Sequence, residues 1–207
     1  MIRMIKIVFN ATIIVLALVG FNAIGGQKYV EAIKDGIGTF IAQHNADSVK
    51  KIGDFSKMNE EFIIDNTMSI AGYKAVIAEH KASGQKMVIL DSGKKPILTK
   101  DDIKNPDFGG KLKDVSKKIN YKGVKVQDIT VTNRGIMEIY GQNVPYAKFD
   151  AKVTRLPFSD ISGVVASVKT SDGNEKLALS LSEKKRYSQL ITNEFYKGVN
   201  ESLASAK

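Results

Sequence analysis

Six lysines crowd into fifteen residues of this chain. Lys111, Lys113, Lys117, Lys118, Lys122 and Lys125 stand against one acid, Asp114, a net of +5. Such a cluster attracts anions through its long-range field and through counterion release. Tyr121 is the only aromatic residue interleaved, so base stacking has little support and nucleic acid is not expected. The ligands that remain are an anionic envelope component, such as phospholipid headgroups or wall polymer, and an acidic face of a protein partner. Lysine runs of this kind are more often a solvated helix face, and that is the competing interpretation.

Other chemistry finds less material. The chain has no cysteine, which excludes disulfides, thiolate metal sites, cysteine nucleophiles and an acylated lipoprotein cysteine. Its two histidines, His44 and His80, are too few for a hydrolytic zinc site unless carboxylates converge on them. Glu60-Glu61 and Asp101-Asp102 are adjacent pairs, and adjacent helical residues diverge by about 100°, so neither pair is preset to flank a bond as a glycosidase requires. Ser182-Glu-Lys-Lys185 has the spacing that puts a lysine one helical turn from a serine nucleophile. Its position at an expected helix start favours capping instead. No Gly-x-Ser-x-Gly elbow, phosphate loop or dinucleotide fingerprint is present. No catalytic residue, metal or cofactor is therefore expected.

The elements that would carry these residues follow from periodicity. Residues 29–44 repeat apolar side chains at three-and-four spacing, as an amphipathic helix does. Asp47 or Ser48 is expected to cap a second helix running to about Phe55, and a third short helix is expected over Met58–Ile64. The period then changes. Tyr73–Lys81 and Lys86–Asp91 form a hairpin about Ser83-Gly84. Thr99 and Asp102 match a capping box, and the lysine cluster begins on a helix over 108–120 whose apolar stripe is Phe108, Leu112, Val115 and Ile119. Five strands follow: Val124–Thr132, Gly135–Tyr140, Tyr146–Leu156, Gly163–Lys169 and Lys176–Leu181. Asn133-Arg-Gly135 and Asp172-Gly173 read as tight turns between them. A last helix is expected over Glu183–Leu203 with Ser182 as its N-cap. The class is α+β: a hairpin plus a five-strand antiparallel meander, with helices on one sheet face and the other face wet.

The N-terminus says where such a domain works. Arg3 and Lys6 precede an apolar stretch, Ile7 to Ile24, that only Asn10, Thr12 and Asn22 interrupt, and no acid occurs before Glu31. Residues 1–26 therefore read as a signal peptide, with Ala23 and Gly25 as its small residues, or as a transmembrane anchor over residues 5–26. Either way the positive start retains the N-terminus and sends residues 27–207 outward as a single domain. Hydrophobic residues at 43% suffice for a core. The function expected is a non-catalytic cell-envelope domain, periplasmic, extracellular or membrane-anchored facing outward. The alternatives are an accessory subunit of a membrane assembly and a small extracytoplasmic hydrolase whose site forms only in three dimensions.

Overall fold

The computed structural model describes residues 46–202 apart from 71–72, 92, 94–95, 97, 118–119, 122–123 and 155–158. The expected leader and the helix over 29–44 lie outside the described residues. No helix among those described is long and apolar enough to cross a membrane.

The chain runs α1 (Ala46–Ile52), β1 (Phe62–Ile70), β2 (Tyr73–His80), β3 (Lys86–Asp91), α2 (Lys100–Lys104), α3 (Phe108–Lys117), β4 (Asn120–Tyr121), β5 (Val124–Ile139), β6 (Gln142–Val153), β7 (Asp160–Lys169), β8 (Glu175–Glu183) and α4 (Gln189–Lys197). The strands lie in the order β1-β2-β3-β8-β7-β6-β5-β4, every neighbour antiparallel. This is a mostly-β α+β fold. The β2–β3 hairpin forms as expected, with Gly84 at φ +69° in its turn, and Gly173 takes φ +82° in the β7–β8 turn. The hairpin joins the meander through its last strand: Lys86 to Asp91 pair with Leu181 to Lys176.

Five expectations are corrected. Met58–Ile64 is not helical, because Phe62-Ile63-Ile64 opens β1, and pairing with β2 overrides the helical preference of Glu60-Glu61. Asn133-Arg-Gly135 is not a turn but the middle of β5, which runs unbroken for sixteen residues and absorbs two bulges. The turn falls at Tyr140-Gly141, where φ values of +53° and +69° give the mirror-image geometry that matches strand twist. Gly135 is there for room, since a Cβ on it would lie 2.8 Å from the Tyr146 ring.

The last helix begins later than expected. Ser182 is buried in β8, and Ser188 is the cap, its side chain accepting from Ile191 N. The backbone of 183 pairs with Ile161, so the strand continues through sequence with good helix propensity. Gln85 then fixes the helix start: its Oε1 accepts from Ser188 N at 2.8 Å and its Nε2 donates to Thr192 Oγ1 at 2.8 Å. Leu190, in the first turn of α4, is 79% exposed. Earlier in the chain, Asp47 and Ser48 are inside α1 rather than capping it, and α1 stops at Ile52.

The fifth correction concerns the sheet faces. Both carry a core. Ala75, Ile77, Val88, Leu90, Phe149, Val165, Leu177 and Leu179 face α2 and α3, closed by Ile103 and Phe108. Val76, Ala78, Met87, Ile89, Val164, Ala166 and Ala178 face α1 and α4, closed by Ile52, Phe195 and Tyr196. Strands covered on both sides read as continuous apolar runs, as Met87-Val-Ile-Leu90 does, and not as alternation. β6 keeps the alternation the sequence shows: Ala147, Phe149, Ala151 and Val153 are buried while Lys152 is exposed.

Candidate anion-binding groove

The region around the lysine cluster is held by two devices that the local sequence provides. The expected capping box closes α2: Thr99 Oγ1 accepts from Asp102 N at 3.1 Å, and Asp102 Oδ2 accepts from Thr99 N at 3.0 Å. Asp102 also binds Lys111 Nζ at 2.5 Å. That ammonium and the Thr99 N–H hold the Asp102 carboxyl below its usual value. The second device is Arg134, projecting from β5. Its guanidinium donates to the carbonyls of Ile103, of Asn105 at 3.0 Å and of Pro106 at 3.3 Å. It also lies 6.0 Å from the centre of the Phe108 ring. Arg134 thus satisfies the carbonyl end of α2 and pins the α2–α3 corner to the strand.

Beyond that corner an open groove of about 410 Å³ runs between α3 and β5. Gly109, Gly110 and Lys113 form one wall, Ile129, Thr130, Val131 and Arg134 the other, and Pro106 the end. The Asp107 carboxylate covers the first turn of α3, and a Cβ on Gly110 would come within 2.6 Å of its Oδ1. The helix start is therefore occupied by the protein's own acid, and cationic side chains supply the groove's positive character.

The structure describes the side chains of two of the six lysines, Lys111 and Lys113. Lys113 lines the groove; Lys111 lies beside it, paired with Asp102. Lys117 ends α3, and Lys125 pairs through its backbone with Asn120 of β4. Lys118 and Lys122 lie outside the described residues. Arg134, which the sequence reading missed, is the second groove cation. The Asn133-Arg-Gly turn signal hid it, since a turn residue has no defined face.

Several other polar groups have structural partners. Asp150 Oδ1 accepts from Ser162 Oγ at 2.5 Å and Oδ2 from Lys184 Nζ at 2.7 Å. Burial opposes ionisation of Asp150, but these hydrogen bonds outweigh it and leave the carboxyl below its usual value, while the same pairing raises Lys184. A depressed carboxylate and a stabilised ammonium are both poor bases, and Ser162 is buried. His80 binds Ser83 Oγ at 2.9 Å and faces Glu61 at 3.4 Å. His44 lies outside the described residues. Ser182 is in a strand, so the spacing to Lys185 no longer makes a helical turn. Among the described residues no group of three His, Asp or Glu side chains is placed to hold a metal. Among the described residues two lysines are buried outright: Lys86 pairs with Glu79 and, at 3.0 Å, with Asp65, and Lys176 lies against backbone carbonyls.

Among the described residues, fold and groove together make a mostly-β domain with an open helix-to-strand cleft lined by Lys113 and Arg134. A scan of protein-family models finds no match to the chain, and a search of curated proteins finds none either.

Proposed function

We propose that the chain is a non-catalytic, extracytoplasmic cell-envelope domain that binds an anionic ligand or an acidic protein partner in the groove between α3 and β5. One observation carries this reading: Lys113 and Arg134 stand on opposite walls of the same open groove, on a chain whose net charge is +9. Opposed cations on a concave surface focus field and favour an anion between them. The export half of the proposal rests on the basic, then apolar, start of the sequence. If residues 5–26 remain as an anchor, the same groove serves an accessory subunit of a membrane assembly.

The test is charge reversal along α3. Lys111, Lys113 and Lys117 changed together to Glu should abolish retention on immobilised polyanions at low salt, and wild-type retention should fall as salt rises. Wild-type binding that ignores both would refute the groove. For export, a reporter active only outside the cytoplasm, fused after Lys207, should be active.

A further inference from the structure

Among the described residues the β5 strand has a partner on only one side for most of its length. β6 covers Val126 to Ile139, whereas β4 pairs with Val124 and Lys125 alone. Among the described residues no strand lies along the outer edge of β5 from Val126 to Ile139. The two-residue turn at Tyr140-Gly141 fixes which backbone groups that edge presents. Ile139 and Gln142 flank the turn and form a hydrogen-bonded pair, and bonded pairs recur at every second residue. Met137–Val144 and Gly135–Tyr146 are therefore the bonded pairs, and Arg134, Ile136 and Glu138 turn their N–H and C=O groups outward. The Arg134 N–H, taken up by Asn133 Oδ1 at 2.8 Å, agrees with this phase. On the same strand, Ile136 is 64% exposed and shares its sheet face with Arg134.

We propose that this edge takes a further strand: an extended, acidic segment of a partner protein adds to β5 and runs on into the α3–β5 groove. The inference rests on the anion-binding reading of the groove and names its occupant. An extended segment supplies what each part lacks. Its backbone pairs with the outward groups of Ile136 and Glu138, as in strand addition to a sheet edge. Its alternate side chains fall on the face that carries Arg134 and Lys113, where carboxylates are complementary, and one of them covers Ile136. A phosphate polymer or lipid headgroup would satisfy the cations but neither the backbone edge nor the isoleucine.

The test uses the full chain in nanodiscs of neutral lipid and three probes. These are a twelve-residue peptide of alternating Glu and Val, the same peptide N-methylated at alternate residues, and inorganic polyphosphate. The parent peptide should bind and should slow amide exchange at Ile136 and Glu138, and N-methylation should weaken it at least tenfold. Ile136→Pro removes an outward N–H without touching the β5–β6 ladder, so it should also cost at least tenfold, while Ile136→Val should stay within twofold. If Ile136→Pro fails to fold, the two peptides on the wild type decide alone. Equal binding of both peptides, or binding of polyphosphate alone, would overturn strand addition and leave the electrostatic groove standing. Failure of all three probes would remove the groove reading itself.

Discussion

Tyr140 and Lys176 donate to the same acceptor. The tyrosine hydroxyl lies 2.7 Å from Ile52 O and the lysine ammonium 3.0 Å from it. The ammonium also sits 5.6 Å from the centre of the Tyr140 ring and 3.4 Å from Lys51 O. Residues from the β5–β6 turn and from β8 thus converge on the carbonyl end of α1, which favours a cation there. They fasten that helix to the sheet.

The buried ammonium makes stability depend on pH in a definite direction. Burial lowers the Lys176 pKa below 10.5, against the opposing pull of Asp91, Asp172 and Glu201. In the window between the folded and the ordinary value the unfolded chain binds more protons, so this lysine's contribution to stability rises with pH there. The denaturation free energy of wild type minus Lys176→Met should increase on approach to pH 10.5 and level off above it. A flat difference would mean that the ammonium is solvated.

Buried tyrosines act in the opposite sense. Burial pushes the Tyr187 hydroxyl up to about 12 and raises those of Tyr140 and Tyr196 as well. Unfolded tyrosines ionise near pH 10, so above it the unfolded state has lost protons that the native state keeps, and stability must fall. Phenolate absorbance from these three side chains should rise together with unfolding, seen by circular dichroism, and not ahead of it. Replacing Tyr187 with Phe should shift the alkaline transition to higher pH.

The alternation in β6 gives a packing test. Phe149 is buried against Val165 and Leu181, and Phe149→Ala should cost about 3–5 kcal/mol. Lys152 is exposed on the opposite face, and Lys152→Ala should stay within about 0.5 kcal/mol. Lys148 is a poor control, since its ammonium lies 5.1 Å from the Tyr187 ring centre. Urea titrations of the two variants should separate them by several-fold in midpoint shift.

What the sequence made legible was local. The β2–β3 hairpin, the Thr99–Asp102 capping box and the β6 alternation each depend on residues within a few positions of one another, and each is present. What it concealed was set by distant partners. β1 exists because β2 offers it an edge, and residue 183 stays extended because Ile161 pairs with it. The second buried face escaped notice because small residues at Ala166, Ala178 and Ser180 face the helices there, and small residues do not signal burial. Of the candidate site, the lysines on α3 were visible as composition. Arg134 was not, because its role requires β5 to pass beneath the end of α2.

The seam between β3 and β8 has a consequence in time. It joins residues 86–91 to residues 176–181, so the centre of the sheet closes only after some ninety intervening residues have been synthesised and brought round. A fold dominated by such distant pairings has high contact order and belongs with the slow folders, in the millisecond-to-second range. Until β8 arrives, Met87-Val-Ile-Leu90 is an unpaired edge with apolar side chains on both faces. During that interval a second copy of the same segment is a competing partner, and the yield of folded protein should fall as the concentration of refolding chains rises.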